Sequence, residues 1–243
     1  METLETIERW WDEDAATYDR TPGHHAGTPA ERAAWAAALA RHLPPGGTVL
    51  DVGAGTGFLS LTAARLGLRV TALDLSGRML DRLVAAAARQ GLDLAVRQGP
   101  ADQPPEGRFD AVMSRHLLWT LPEPGRALAA WRAAAPTGRL ALLESMWGRV
   151  DRAEVVRQRL RRGVERLRRT PHGHHDDYDA GVLAQLPFAN GIGPGALVEL
   201  VEASGWGPAR LERLRDVEWT RLLARPPLER VLGVTPTFAV SAG

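Results

Sequence analysis

Three alternating glycines mark the stretch of the sequence with the clearest capacity for chemistry. They occur in VLDVGAGTG, residues 49–57, where an apolar run ends and a helical pattern begins. Glycine lets the backbone turn tightly and lets a ligand lie directly against it, so Gly53, Gly55 and Gly57 indicate a binding loop. Ligands of doubly wound sheets bind at the carboxyl ends of the strands, where this loop would lie. The stretch therefore predicts a cofactor site.

The spacing of the loop narrows the kind of cofactor. A nicotinamide dinucleotide requires G-x-G-x-x-G, which seats a pyrophosphate at the helix N-terminus, and its third glycine would fall on Phe58. Asp74 closes the next apolar run, 17 residues after Gly57, where its carboxylate could accept hydrogen bonds from ribose hydroxyls. The pattern favours a nucleoside without a pyrophosphate.

The composition is that of a globular protein and excludes several kinds of site. Hydrophobic residues make up 44% and charged residues 24%, and there is no cysteine, which excludes disulfides, thiolate zinc sites and a cysteine nucleophile. The net charge is +1, and all 30 basic residues are arginine, so no strong positive field disposes the chain to nucleic acid. The amino terminus lacks the features of a signal peptide and no apolar run is long enough to span a membrane, so we expect a cytoplasmic protein.

The elements that must position the glycine loop alternate between strands and helices. Two helices interrupted at Thr21–Gly23 precede the first strand, which begins after the Pro44–Gly47 stretch. Strands are predicted at 48–52, 69–73, 94–97, 110–114 and 140–144, and helices at 59–66, 77–90 and 124–135. This alternation predicts an α/β fold with a Rossmann-like, doubly wound, mostly parallel sheet.

The rest of the chain is predicted to complete one domain. We expect a helical lid over 1–45, a cofactor-binding core over 46–147, an acceptor-side insertion over 148–208 and an edge hairpin over 209–243. The insertion holds an arginine-rich helix to Arg169, a histidine loop and a helix at 195–204. The runs 210–219 and 235–240 are expected to return to the sheet as an antiparallel edge.

In this order, from about Trp10 to Trp147, the motifs resemble those of class I S-adenosylmethionine-dependent methyltransferases. The likeness is greatest to bacterial enzymes that methylate small molecules in natural-product and antibiotic biosynthesis. It implies S-adenosylmethionine as the cofactor. By the same resemblance, Asp51 and the three glycines hold the methionine part, while Asp74 and Leu75 hold the ribose side.

Two further segments carry the resemblance. Gly99–Asp102 looks like the segment that edges the adenine, and because Pro100 stands where an acid is common, we expect Ala101 and Asp102 to make that contact. The segment SRHLLWTLP, residues 114–122, resembles the end of the fourth strand and its loop. There the resemblance places Arg115 and His116 against the cofactor.

Other residues are expected on the acceptor side. The resemblance makes residues 10–24 a lid in which Tyr18 closes over the sulfonium. An amine or phenol acceptor must lose a proton, and a neutral histidine is the natural base near pH 7, so His116 and His24 are the candidate catalytic residues. The predicted acceptor contacts are Tyr18, Trp119, Trp147, His175 and Tyr178.

Several alternatives stay open from the sequence. The arginine-rich helix could serve an RNA methyltransferase, or the protein could bind S-adenosylmethionine without transferring a methyl group. Asp51 could be a structural hydrogen-bond acceptor, and Trp10 and Trp11 could serve packing alone. The run of His172, His174 and His175 is expected to be a polar loop, so we predict no metal. The expected partner is a small-molecule acceptor, and the sequence leaves a homodimer open.

Overall fold

The computed structural model describes residues 2–21, 23–145, 156–157, 159–160, 163, 178 and 180–243. The predicted arginine-rich helix therefore lies almost wholly outside the described residues, as do Trp147 and His175. Within the described part, no helix is both long and apolar enough to cross a membrane. No group of three histidine, aspartate or glutamate side chains in that part could hold a metal ion.

Seven strands form one mixed sheet in the order β3-β2-β1-β4-β5-β7-β6. The first five run parallel, and β7 runs antiparallel to both of its neighbours. The strands are β1 Thr48–Val52, β2 Arg69–Asp74, β3 Ala95–Gln98, β4 Ala111–Arg115, β5 Arg139–Ser145, β6 Arg210–Arg213 and β7 Thr237–Ala242. The strand order reverses between β1 and β4, which is where ligands of doubly wound sheets bind.

Helices flank the sheet and precede it. The described ones are α1 Glu2–Asp14, α2 Pro29–His42, α3 Phe58–Arg65, α4 Gly77–Arg89, α5 Pro124–Ala134, α6 Ala180–Leu183, α7 Pro194–Val201, α8 Arg215–Ala224 and α9 Pro227–Arg230, with a 3-10 turn at Tyr18–Arg20. Local signals set several boundaries. The Thr28 side chain caps α2 by accepting from Glu31 N–H, and Pro29 fits the first turn.

Two hydrophobic layers cover the two faces of the sheet. Leu50 and Val52 of β1 pack with Trp131 of α5 on one face, while Val49 packs with Trp35 of α2 on the other. Both tryptophans are almost fully buried. This two-sided burial explains why β1 is a continuous apolar run, and it confirms the predicted doubly wound α/β sheet.

The carboxyl-terminal part differs in detail from the sequence prediction. The antiparallel strand β7 lies inside the sheet, and β6 forms the edge beyond it. The prediction that the whole run 210–219 is a strand is wrong, because residues from Arg215 onward form α8. Glu218 of that helix is buried and accepts hydrogen bonds from Arg213 and from the Thr237 backbone N–H, so helical spacing is needed to join β6 to β7.

Candidate active site

The glycine loop folds back onto the neighbouring strand. The Gly53 and Ala54 N–H groups both donate to the Leu73 carbonyl, at 2.8 and 3.1 Å. Gly53 has φ +69°, and a Cβ there would lie 2.7 Å from Leu117 Cδ1. Gly55 has φ +54°, and a Cβ there would meet nothing within 4 Å. The first glycine is thus required by packing and backbone, and the second leaves the backbone open to a ligand.

The carboxylate of Asp74 is held in one orientation at the end of β2. Oδ2 accepts from Gly55 N–H at 2.7 Å and Oδ1 from Ser76 N–H at 2.9 Å. Burial raises the pKa of Asp74 to about 6, although these backbone donors act in the opposite direction. The group is therefore ionised at neutral pH, and its remaining lone pairs can accept from ligand hydroxyls.

A cleft opens beside Asp74 and brings together most residues of the predicted cofactor site. The predicted cofactor residues that line the cleft are Tyr18, Gly53, Gly55, Asp74, Leu75, Ala101, Arg115 and His116. Leu4, Ile7 and Trp11 of α1 line it as well, and sequence reasoning did not single them out as cofactor contacts. The predicted amino-terminal lid included these residues, but no signal in the sequence marked them individually.

Helix α1 is fixed over this cleft by polar contacts. Asp12 Oδ1 accepts from Ser76 Oγ at 2.5 Å and from Arg78 N–H at 3.2 Å. Gln98 Nε2 donates to Glu8 Oε1 at 2.9 Å. These contacts join the lid to the start of α4 and the end of β3, directly beside Asp74.

Three predicted cofactor residues lie elsewhere in the structure. Asp51 accepts from Ser60 Oγ at 2.6 Å, and burial raises its pKa to about 7. Gly57 has φ +96°, and a Cβ there would overlap Leu83 Cδ1 of α4. The Asp102 carboxylate pairs with Arg126 at 3.2 Å. None of the three is among the described residues that line the cleft, so their contact with a cofactor stays a prediction.

The adenine side predicted for the cleft is formed by backbone and small apolar groups. Gly99, Pro100 and Ala101 line the cleft at the end of β3. Trp131 Nε1 donates to the Ala101 carbonyl at 2.6 Å and holds this segment against the core. The proline that replaces the usual acid therefore contributes an apolar surface.

The rings of Tyr18 and His24 pack against each other at a tilt of 33°. Their ring centroids lie 4.0 Å apart, and His24 Nδ1 lies 2.9 Å from the Tyr18 carbonyl oxygen. Burial raises the pKa of Tyr18 to about 12, and nearby Arg115 acts in the opposite direction. Tyr18 is thus a neutral phenol at physiological pH.

Arg115 and His116 occupy the end of β4. The Arg115 guanidinium donates to the Gly23 carbonyl at 2.5 Å and lies 3.9 Å from the centroid of the Phe58 ring. Burial lowers its pKa to about 10. His116 has φ +55°, and its Nε2 lies 3.1 Å from Ser145 Oγ. Burial, and then Arg115, hold the pKa of His116 well below its usual value, so the imidazole is neutral.

The sequence analysis missed several polar residues behind this pair. Ser145 Oγ lies 3.4 Å from Thr237 Oγ1, to which Arg221 Nη1 donates at 3.1 Å. Glu144 is buried beside them, and burial raises its pKa to about 8. Glu144 ends the last predicted parallel strand, and Ser145 follows it directly. The predicted strand order could therefore have shown that these two residues lie next to the end of β4.

A second, larger cavity of about 1150 Å³ adjoins the cleft. Trp11, Tyr18, Arg115 and His116 line both spaces. The larger one also contains the predicted acceptor residues Trp119 and Tyr178 and the candidate base His24. Two adjoining spaces with a shared wall suit a reaction between two bound molecules.

Residues 50–142 match the methyltransferase domain family. Among curated proteins, the ubiquinone biosynthesis O-methyltransferase of Caulobacter vibrioides is 33% identical over 133 residues, 53% of this chain and 51% of that protein. The chain thus spans about half the length of the curated relatives it matches.

Solved structures resemble the chain over most of its length. The phosphoethanolamine N-methyltransferase 2 of Haemonchus contortus matches 99% of this chain and 59% of its own, with a TM-score of 0.63 and 16% identity. Magnesium protoporphyrin IX methyltransferase from Synechocystis PCC 6803 matches 97% of both chains, with a TM-score of 0.60 and 14% identity. At these identities the likeness establishes the fold.

Proposed function

We propose that the protein is a class I, S-adenosylmethionine-dependent methyltransferase that methylates a nitrogen or oxygen of a small molecule. The observation that carries the proposal is the pair of adjoining spaces that meet at Tyr18, Arg115 and His116. We further propose a secondary-metabolite precursor as the acceptor and the cytoplasm as the place of action.

The cleft suits the cofactor in its donor groups and in the backbone that it leaves accessible. Asp74 offers an oriented, ionised carboxylate, and Gly55 exposes backbone where a side chain would otherwise project. Arg115 is a buried cation that makes no ion pair with a described residue, and a carboxylate such as that of the methionine part would neutralise it. S-adenosylmethionine supplies, when bound, an electrophilic methyl group on a sulfonium.

Catalysis would come mainly from positioning. Methyl transfer is an in-line displacement, and holding two reactants in register is worth effective molarities of about 10⁵–10⁸ M. Tyr18 and Trp11 belong to the amino-terminal segment that covers the site, and their aromatic side chains exclude water from it. The helix α1 contacts described above keep that cover in place.

His116 is the stronger of the two candidate bases. It lines both spaces, its neutral imidazole can accept a proton, and Ser145 Oγ fixes the orientation of its ring. His24 lines only the acceptor cavity and packs against Tyr18. A proton taken from the acceptor would reach Nε2 or Nδ1 of whichever ring faces the nucleophile.

Turnover tests the proposal. The purified protein is incubated with S-adenosylmethionine and a panel of amines and phenols, and S-adenosylhomocysteine is measured by mass spectrometry. We expect product formation that Asp74→Asn and His116→Ala reduce and that Asp93→Asn, at an exposed carboxylate that lines neither space, leaves intact. Cofactor binding without product from any acceptor would favour a non-methylating protein, and methylation of RNA with steep salt dependence would favour an RNA enzyme.

A further inference from the structure

The acceptor cavity is lined by two chemically different sets of side chains. At about 1150 Å³ it is larger than the roughly 300–1,000 Å³ of sites that hold drug-sized ligands. Aromatic side chains form one set, the aromatic wall, and arginines form the other, the cationic wall. This division limits the kind of molecule that could fill the space.

The aromatic wall is formed by rings from three parts of the chain. Trp10 and Tyr178 lie 4.9 Å apart between centroids at an interplanar angle of 53°. Trp119 lies 5.8 Å from Tyr178 and 6.2 Å from Trp11. Such clusters gain from further offset or edge-to-face contacts with a planar ring. The wall therefore favours an aromatic body over a flexible polar one.

The cationic wall carries a surplus of positive charge. Four arginines and one glutamate line the cavity among the described residues: Arg20, Arg115, Arg221, Arg225 and Glu31. The single acid is already engaged, because Arg221 Nε lies 2.8 Å from Glu31 Oε1. Both of these side chains are largely buried, at 17% and 8% exposure. Arg115 is assigned above to the carboxylate of the cofactor, and the described lining holds no second acid to balance Arg20.

Arg20 and Arg115 differ in how they could meet a ligand. Arg20 is exposed at the end of the 3-10 turn that also carries Tyr18. Arg115 lies deeper, where the cavity meets the cofactor cleft. A planar guanidinium binds carboxylates and phosphates through paired N–H donors, which suits recognition of an oxyanion.

We propose that the methyl acceptor is an aromatic anion, whose ring lies against Trp10, Trp119 and Tyr178 and whose carboxylate or phosphate group is bound by Arg20. This inference rests on the proposed function, since it assigns an acceptor to that site. Arg115 stays with the carboxylate of the cofactor. The charge of the cationic wall and the rings of the aromatic wall together select an amphipathic, planar molecule.

Calorimetric titration with defined probes tests this assignment. Holoprotein saturated with S-adenosylhomocysteine is titrated with 4-hydroxybenzoate, phenyl phosphate, 4-hydroxybenzamide and inorganic phosphate. We expect the better of the two aromatic anions to bind at least about tenfold more tightly than the neutral amide and than inorganic phosphate, because hydrogen bonds to charged groups are stronger than those to neutral groups. The tighter of the two identifies carboxylate or phosphate as the group recognised.

Matched arginine variants locate the effect. Arg20→Gln is expected to bring the preference for the anion over the amide close to one, and Arg108→Gln, an exposed arginine that does not line the cavity, should keep the wild-type preference. Equal binding of amide and anion, no binding of either anion, or an unchanged preference in Arg20→Gln would overturn the proposal. Failure to bind S-adenosylhomocysteine would instead overturn the proposed function.

Discussion

Gly57 is expected to stabilise the fold by letting α3 and α4 approach closely. It precedes α3 with φ +96°, and a Cβ on it would overlap Leu83. Gly67 follows the same helix with φ +80°, and a Cβ on it would meet nothing within 4 Å. Both alanine substitutions force a left-handed backbone, which costs about 1–2 kcal/mol. Only Gly57→Ala adds the overpacking cost of about 1–3 kcal/mol.

Thermal unfolding of the two variants separates these effects. For a chain of this length, 1 kcal/mol corresponds to about 2–4 °C in Tm, so Gly57→Ala should unfold about 2–12 °C below Gly67→Ala. A double-mutant cycle with Leu83→Ala should show that shortening Leu83 recovers part of the loss. Equal Tm values for the two glycine variants, or strict additivity in the cycle, would refute the packing role.

Three further predictions concern charge and the acceptor. Because the pKa of Asp74 is about 6, affinity for S-adenosylhomocysteine should weaken as pH falls below about 6. A flat profile of affinity from pH 5 to 8, measured by calorimetry, would argue against an ionised Asp74 as the group that accepts hydrogen bonds from the ligand. Burial raises the pKa of Glu144 to about 8, from 4.5 for an exposed side chain, so the folded state keeps a proton that the unfolded chain releases. Stability should therefore fall as pH rises across this window. The decline in Tm between pH 7 and 8 should be smaller in Glu144→Gln than in the wild type. A decline in Glu144→Gln as large as that of the wild type would contradict the assignment. Trp119→Leu should raise KM for an aromatic acceptor about tenfold, measured as initial rates, because an aromatic contact of about 0.5–1.5 kcal/mol and buried area are lost together; an unchanged KM would remove Trp119 from the acceptor wall.

The parallel part of the sheet could be predicted because its signals are local. The apolar run 48–52, the glycines after it and Asp74 each follow from covalent and steric rules, and the structure places β1 at that range. The boundary between β6 and α8 could not be predicted in this way. Its helix depends on a distant contact, in which Glu218 accepts from the Thr237 N–H.

The candidate site likewise has a part that could be predicted from local signals and a part that depends on distant contacts. Asp74, Gly53 and Gly55 lie on one loop and its neighbouring strand, so their meeting follows from strand order. Ser145 and Thr237, in contrast, are 92 residues apart and meet only through the pairing of β5 with β7. Gly57 shows a further limit, since a motif glycine that looks like a ligand contact has a packing role that depends on α4.

The most direct test of the central claim is a calorimetric titration of the wild-type protein, Asp74→Asn and Asp93→Asn with S-adenosylhomocysteine. The cleft geometry predicts binding by the wild type, a loss of about ten- to a hundredfold in Asp74→Asn, and wild-type affinity in Asp93→Asn, whose exposed carboxylate does not line the cleft. Equal affinity in the wild type and Asp74→Asn, or no binding by the folded wild type, would contradict the claim that this cleft holds the cofactor.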